Sequence, residues 1–201
     1  MRLASPHLLS LLLFALGTGN WLAILLLAPH EDSAPVSVDA SRVHIDVDTG
    51  LRLYRNTAFP GTAVTRYPSG SLAKSESFVD GRRHGEFSMW FSDGQIAYSA
   101  RYESGRRSGL ATSWWRNGNK RSETFYVDDR ADGVAWHWYR TGEKFKRYNF
   151  RHGEPTGLQQ AWRMNGKLYS NFESRNGRAF GLRNAKLCVE LDDEALPLPT
   201  T

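Results

Sequence analysis

The chain contains a single cysteine, Cys188, among its 201 residues. One thiol can form neither an intrachain disulfide nor a cysteine-based zinc site, so packing and hydrogen bonds must stabilise the folded state. The sequence also lacks a glycine-rich phosphate loop before a helix and the H-E-x-x-H spacing of zinc proteases. His84, His137 and His152 form no pattern with serine or paired carboxylates. The sequence therefore predicts a non-enzymatic protein without catalytic residues, cofactor or metal.

Charge is absent from the segment Leu8–Leu27. A helix of this length, at about 1.5 Å per residue, spans roughly 30 Å, which is the thickness of a bilayer core. Arg2 precedes the segment, and acidic residues without Lys or Arg follow it as far as Arg42. This distribution predicts a hydrophobic helix in residues 1–28 that anchors the chain N-in, C-out. A cleaved signal peptide is the alternative. Both interpretations place the folded part outside the cytoplasm, membrane-anchored or secreted to the periplasm.

Residues 29–50 are rich in Pro, Ser and Asp, which predicts an acidic linker. Within it, Val43, Ile45 and Val47 alternate with polar residues, which indicates a short strand with one polar face. His44, Asp46 and Asp48 occupy that polar face. Three such side chains on one exposed strand face are expected to be solvated rather than to bind a metal.

Glycine recurs with a fixed spacing of 24 residues, which indicates an internal repeat. The first series is Gly61, Gly85, Gly109, Gly133, Gly157 and Gly181. The second series lies nine residues later in each copy, at Gly70, Gly94, Gly118, Gly142 and Gly166. The third series, Gly81, Gly105, Gly153 and Gly177, is interrupted by Asp129. Five or six copies of one unit therefore make up residues 51–183.

Aromatic residues keep the same spacing. A tryptophan ladder is formed by Trp90, Trp114, Trp138 and Trp162. The residue after each tryptophan is aromatic in three copies, at Phe91, Trp115 and Tyr139. A third aromatic series is formed by Phe78, Tyr102, Tyr126 and Phe150. Aromatic side chains favour the pleated surface of a sheet. The tryptophan ladder is therefore predicted to be structural and to pack the thin sheet together.

The second glycine of each copy follows a turn-forming residue, as in Asp93-Gly94 and Asn117-Gly118. These dipeptides predict two-residue type I′ hairpin turns, because both central positions of that turn need positive φ. In this register Met89 opposes Tyr98, Trp114 opposes Arg121, and Trp138 opposes Phe145. The third glycine series predicts a second, looser turn. The fold class is therefore all-β, an elongated antiparallel β-hairpin repeat array, and residues 184–201 form a C-terminal cap and tail that includes Cys188.

The pattern G-x4-W-[FWY]-x2-G, followed by an aromatic residue eight positions on and a closing G-[RK], resembles the MORN-variant repeat. The resemblance covers about residues 53–181. It implies a MORN-like meander and a scaffold whose members bind proteins and lipids. Many bacterial relatives carry the label of toxin–antitoxin antitoxins, so an antitoxin-like binder of a toxin is a weaker implication. The spacing of 24 residues is longer than the usual step of the family.

Alternation along the strands predicts that Trp115 and Tyr139 lie on the face opposite the tryptophan ladder, across from Lys120 and Lys144. Two interpretations follow from that placement. The pairs Trp115–Lys120 and Tyr139–Lys144 are cross-strand cation–π contacts, or these four residues form the floor of a ligand groove. They are the candidate binding face.

Basic residues are concentrated in the repeats. Residues 51–183 contain 23 Lys and Arg against 12 Asp and Glu, a net charge of +11, and the remaining residues carry −6. A basic sheet beside a membrane attracts anionic headgroups or surface polymers, whereas scattered cations also simply confer solubility. An unknown protein is the expected partner, an anionic membrane surface or glycan is the alternative, and nucleic acid is disfavoured by the compartment.

Overall fold

The computed structural model describes residues 36–182. Within this range the chain is all-β apart from one 3-10 helix, Ala40–Arg42. The first strands are β1 (Val36–Asp39), β2 (Val43–Ile45), β3 (Arg52–Tyr54), β4 (Thr57–Ala58), β5 (Gly61–Arg66), β6 (Leu72–Val79), β7 (Arg82–Trp90), β8 (Ile96–Glu103) and β9 (Arg106–Arg107). The remaining strands are β10 (Gly109–Trp114), β11 (Lys120–Val127), β12 (Arg130–Ala131), β13 (Gly133–Trp138), β14 (Lys144–Arg151), β15 (Glu154–Pro155), β16 (Gly157–Trp162), β17 (Leu168–Arg175) and β18 (Arg178–Leu182).

One long sheet contains the repeats. Its strands follow the order β1-β5-β6-β7-β8-β10-β11-β13-β14-β16-β17-β18, and the short strands β9, β12 and β15 pair beside this path. Every pairing from β5 onwards is antiparallel, which confirms the predicted hairpin array. β1 differs because it pairs parallel to β5 at the start of the sheet. A second sheet contains β2, β3 and β4, so the short strand predicted around Val43 pairs with β3.

The turns of the repeats lie at the predicted glycines, but the tight turn and the looser turn occupy each other's predicted positions. In the turn at Gly94, the N–H of Gly94 bonds to the carbonyl of Phe91, and the N–H of Phe91 bonds to the carbonyl of Gln95. Gly94 has φ of +86°, and Asp93 is not among the residues with positive φ. This is a three-residue turn that ends in a left-handed glycine, so the predicted type I′ turn is wrong.

The tight turns occur at the other end of each hairpin. Glu103 pairs with Arg106, and the two residues between them, Ser104 and Gly105, have φ of +48° and +89°. Positive φ at both central positions is the type I′ geometry. The turn predicted to be the looser one is therefore the two-residue turn.

Because the turns at the second glycine series have three residues instead of two, the strand pairing beside the tryptophan ladder differs from the predicted register. Met89 opposes Tyr98 as predicted, but Trp114 opposes Lys120 and Trp138 opposes Lys144. The predicted partners, Arg121 and Phe145, are each the extra residue of an irregularity in the pairing next to the tryptophan. The three-residue turn requires this bulge, because its two arms differ in length.

The two faces of the sheet differ in composition. The alanine face buries Ala63, Ala100, Ala111, Ala135 and Ala161. On that face the first four glycines of the first series oppose aromatic rings, in the pairs Gly61–Phe78, Gly85–Tyr102, Gly109–Tyr126 and Gly133–Phe150, whereas Gly157 opposes Ser174. Since glycine has no side chain, the ring can lie over the neighbouring strand. The other face carries Trp90, Trp114, Trp138 and Trp162, all half-buried, and is called the tryptophan face below.

The start of the sheet has its own apolar cluster. Val38, Phe59, Ala63 and Phe78 are buried there, with Tyr54 packed against them. The rings of Tyr54 and Phe78 each lie 5.7 Å from the ring of Phe59, centroid to centroid. This cluster joins the three-stranded sheet and β1 to the first hairpin, and it closes the first end of the array.

The predicted N-terminal hydrophobic helix and Cys188 lie outside the described residues, so both stay predictions. Within residues 36–182, no helix is long and apolar enough to cross a membrane.

Candidate functional site on the tryptophan face

Three tryptophans of the tryptophan face form a stack. The ring of Trp136 lies 6.3 Å from the ring of Trp138 at an interplanar angle of 27°, and 6.0 Å from the ring of Trp162 at 21°. Trp136 and Trp138 are two residues apart on β13, so they share a face by the alternation of a strand. Trp162 reaches them from β16 across β14. Such offset stacks add about 0.5–1.5 kcal/mol per pair beyond the burial of their area.

Three cations surround this stack. The Nζ of Lys144 lies 5.1 Å from the centre of the Trp136 ring, and the guanidinium of Arg147 lies 5.9 Å from it. The Nζ of Lys120 lies 5.8 Å from the Trp138 ring and also 2.5 Å from the Oε2 of Glu123. Cation–π contacts at exposed sites contribute only about 0.5–1 kcal/mol each. The cations can therefore turn towards a more strongly negative partner at little cost.

A row of exposed apolar side chains borders the stack. Leu110, Phe125, Val134 and Leu158 are each between 39% and 52% exposed. Leu110 opposes Phe125 in the register of β10 and β11, and Val134 lies two residues before Trp136 on the same face. Asn149, which opposes Val134, continues the row towards Leu158. Exposed apolar side chains beside aromatic rings are typical of a binding surface, and in this row the polar side chain of Asn149 separates Val134 from Leu158. These four residues are called the apolar row.

The four residues of the predicted candidate binding face do not lie together in the structure. Lys120 and Lys144 lie on the tryptophan face, next to Trp138 and Trp136. The guanidinium of Arg121 lies 4.7 Å from the Trp115 ring, and the ring of Phe145 lies 4.7 Å from that of Tyr139. The predicted pairs Trp115–Lys120 and Tyr139–Lys144 are therefore wrong in their partners, because the bulge shifts the register at these positions.

Trp115 and Tyr139 are half-buried rather than open. The Nε1–H of Trp115 donates to the carbonyl of Trp138 at 3.2 Å, and the hydroxyl of Tyr139 donates to the carbonyl of Trp162 at 2.9 Å. Tyr67, at the same repeat position, donates to the carbonyl of Trp90. Each of these side chains connects one repeat to the backbone of the next. Ligand binding by Trp115 and Tyr139 stays a prediction.

Sequence reasoning missed Trp136 and Arg147 as site residues. The other repeats have Val64, Ser88, Thr112 and Gln160 at the position of Trp136. Only the copy with Trp136 can form the stack. A tryptophan at a position where the other copies have smaller or polar residues was therefore the feature of the sequence that could have indicated the site. The contact between Trp136 and Trp162 is not visible from spacing, since the two residues lie on strands separated by β14.

Two of the hairpins match the family model of the MORN repeat variant. The matches cover residues 83–104 and 107–128, and each includes one three-residue turn with the strands on both sides. The resemblance read from the residues is thus confirmed for the repeat type, and MORN-type hairpins are generally non-catalytic interaction modules. The match concerns the repeat alone and does not support a toxin partner. No curated protein matches the chain.

No group of His, Cys, Asp and Glu within residues 36–182 is arranged to hold a metal ion. His137 packs edge-on against Tyr148 at a ring distance of 5.7 Å. Burial, together with the nearby charges of Lys146 and Arg121, lowers the pKa of His137. This histidine is a packed side chain of the alanine face, across the sheet from the tryptophan stack.

Proposed function

We propose that this chain is a non-enzymatic repeat scaffold, held outside the cytoplasm by its N-terminal segment, whose tryptophan face binds a partner protein. The observation that carries the proposal is the apolar row next to the stacked, cation-flanked tryptophans. Protein interfaces combine an apolar and aromatic centre with a charged rim, and Trp and Arg are enriched among the residues that dominate their binding energy. The fitting partner surface is an apolar patch bordered by acidic side chains.

A glycan or anionic polymer is the second candidate, because the face is basic and rich in tryptophan. Sugars bind tryptophan by stacking on an open ring. Here Lys144 and Arg147 lie over Trp136, and Trp138 and Trp162 stack against it. The apolar row offers nothing to the hydroxyls of a sugar. An anionic membrane surface would attract the chain by about 1 kcal/mol per well-placed cation. It would contact the apolar row only if the side chains of that row inserted into the membrane. A toxin partner is a weaker alternative.

Site-specific photo-crosslinking in the native cells tests the proposal. A photoreactive residue at Leu158 on the tryptophan face should give one crosslinked protein of defined mass. The matched control is Met89, which is exposed to a similar degree on the alanine face and should give none. Equal crosslinking from both positions, or attachment to wall polymer instead of protein, would contradict a protein partner.

The location outside the cytoplasm has a separate test. Protease added to intact spheroplasts should digest the repeats in residues 51–183, because the N-in, C-out orientation exposes them. The same protease should leave a cytoplasmic marker protein intact. Full protection of the repeats in intact spheroplasts would refute the proposed location.

A further inference from the structure

An arginine-lined cavity lies where the three-stranded sheet meets the tight-turn edge of the long sheet. Its volume is about 390 Å³, and its arginines are Arg52 of β3, Arg82 and Arg83 of β7, and Arg106 of β9. None of the described residues that line it is acidic. Four arginines from three strands therefore line one cavity of the size that small ligands occupy, although Arg82 and Arg83 are consecutive on β7 and their side chains leave opposite faces of the strand.

The arginines of this cavity differ in the number of their partners. In the described part of the chain, the side chains of Arg52 and Arg82 form no hydrogen bond or ion pair. The Nε of Arg83 is buried without a hydrogen-bond partner, and the Nη2 of the same residue lies 3.5 Å from the Oε2 of Glu76. The guanidinium of Arg83 also lies 5.7 Å from the ring of Phe87 and 5.5 Å from the ring of Tyr102, so Arg83 is the most constrained of the four arginines. Arg106 lies 3.9 Å from Asp128 in an exposed pair, which constrains it little.

The rest of the lining limits what can bind. Ile45, Leu51 and Phe78 contribute apolar surface, and Ser104 contributes a hydroxyl. The arginine lining, with no acidic residue among its described members, excludes an inorganic cation. The lining fits an organic molecule with a small apolar or neutral body and a group of high negative charge.

We propose that this cavity binds the phosphoryl group of a phosphomonoester. A phosphomonoester carries close to two negative charges at neutral pH, and its three terminal oxygens accept hydrogen bonds from several directions. Guanidinium groups bind such oxygens in pairs through their planar fork. A carboxylate has one charge and two oxygens in one plane, so it would leave part of this arginine set without a partner. The site is independent of the tryptophan face and of the partner proposed for it.

Calorimetric titration of the full-length chain in non-ionic detergent tests the proposal, with glycerol 3-phosphate as the probe and glycerol as the neutral control. Binding of glycerol 3-phosphate should be saturable and should weaken as salt is added. Arg52→Gln with Arg82→Gln should weaken it by roughly tenfold or more, since each removed guanidinium takes away charge-assisted hydrogen bonds. The single Arg82→Gln variant should give a smaller loss of affinity. Because Arg82 is exposed, this variant should fold even if the double variant does not.

The matched control is Arg130→Gln with Arg178→Gln. Arg130 and Arg178 occupy the same repeat position as Arg82 and Arg106, so the change in net charge is identical away from the cavity. This control should bind glycerol 3-phosphate like the unmodified chain. Equal losses in both double variants would show a general charge effect and overturn the proposal.

A second titration distinguishes a free phosphate ester from a lipid headgroup. Mixed micelles that contain phosphatidic acid are compared with micelles that contain phosphatidylcholine, whose phosphate is a diester. Binding of phosphatidic acid that depends on Arg52 and Arg82, without binding of glycerol 3-phosphate, would support the phosphoryl site and assign it to a lipid. Absence of binding to both phosphomonoesters would overturn it.

Discussion

Tyr67, Trp115 and Tyr139 each donate a side-chain hydrogen bond to a tryptophan carbonyl of the following repeat. A carbonyl beside a bulge has lost its regular cross-strand partner, and a half-buried carbonyl without a donor destabilises the fold. The ring series that follows the tryptophan ladder thus supplies the donor that the bulge requires. Phe91 cannot donate, and the guanidinium of Arg116 lies 5.0 Å from its ring instead.

Tyr139→Phe tests this role. It removes the hydroxyl that bonds to the carbonyl of Trp162 while keeping the ring against Phe145. We expect the free energy of unfolding to fall by about 1 kcal/mol, the usual net value of one hydrogen bond. Tyr148→Phe is the control, because no hydrogen bond of the Tyr148 hydroxyl occurs in the described residues. Chemical denaturation of both variants measures the difference, and equal stability losses would contradict the assignment.

His137 gives the array a pH dependence. Its pKa is lowered from 6.5 by burial and by the charges of Lys146 and Arg121. The folded state therefore favours the neutral imidazole, so this contribution to stability is fully present above the ordinary pKa and is lost as the pH falls below it. Thermal unfolding at about pH 7.5 and about pH 5.5 should show a smaller loss on acidification for His137→Gln than for the unmodified chain. An identical loss in both would show that other groups cause it.

At the scale of the elements, the turns illustrate what the sequence could and could not predict. Glycine spacing located the turns of the repeats, because glycine takes the left-handed conformation freely, but it did not locate the turn at Arg55 and Asn56, which has no glycine. Turn length was not predictable from Asp-Gly or Asn-Gly, since both dipeptides fit a two-residue turn and a three-residue turn. In the three-residue turns the Oδ1 of Asp93 and of Asn117 accepts from the N–H two residues on. Among the tight turns, Asp80-Gly81 and Asn176-Gly177 carry the same dipeptides, whereas Ser104-Gly105, Asp128-Asp129 and His152-Gly153 do not. The dipeptides therefore occur in both kinds of turn and do not distinguish them.

Asp129 shows how a tight turn tolerates the loss of glycine. Its φ is +65°, a conformation that costs a side-chain residue roughly 1 kcal/mol or more. The Oδ1 of Asp129 accepts from the N–H of Arg107 at 3.1 Å and from its Nε at 2.7 Å. Burial opposes ionisation of Asp129, but these hydrogen bonds outweigh it and lower its pKa. The carboxylate thus offsets backbone strain by connecting adjacent repeats.

Two substitutions distinguish the turn types. Asp93→Gly should destabilise the chain by about 1 kcal/mol, because it removes the hydrogen bond to Gln95 at a position that does not need positive φ. Ser104→Asn should stabilise it by on the order of 0.5 kcal/mol, because asparagine tolerates the left-handed conformation that Ser104 adopts. Thermal melts of both variants measure the effects. If Asp93→Gly stabilised the chain instead, the turn at Gly94 would be of type I′. If Ser104→Asn destabilised it, the type I′ assignment of the turn at Ser104 would be wrong.

At the scale of the whole molecule, the repeats depend on their neighbours. Backbone bonds connect successive tight turns, as from the N–H of Gly105 to the carbonyl of Arg83 and from the N–H of Gly153 to the carbonyl of Ala131. The periodicity was enough to predict this array. The parallel pairing of β1 with β5 was not predictable, because it joins a non-repeated segment to the sheet. Likewise, the tryptophan stack depends on one exceptional copy and on contacts between strands that are distant in sequence.

Excision of whole repeats tests both the array and the site. Removing residues 133–156 takes out one period of 24 residues, joins equivalent positions, and should leave a shorter all-β chain that still unfolds cooperatively, because each repeat contacts only its neighbours. The variant loses Trp136 and Trp138, so the crosslink from Leu158 should disappear. Removing residues 85–108 is the matched control, and it should keep both the fold and the crosslink, since the apolar row and the three stacked tryptophans remain.

A third excision, of residues 133–157, separates register from mere shortening. It removes one residue more than the period, which transfers every following side chain of the joined strand to the opposite face. This chain should fail to unfold cooperatively, as measured by circular dichroism during heating. If it were as stable as the variant without residues 133–156, the alternation of alanine and tryptophan faces would not determine the fold. If instead the two in-register excisions abolished the crosslink equally, the partner would bind the array as a whole, and the tryptophan stack would not be its site.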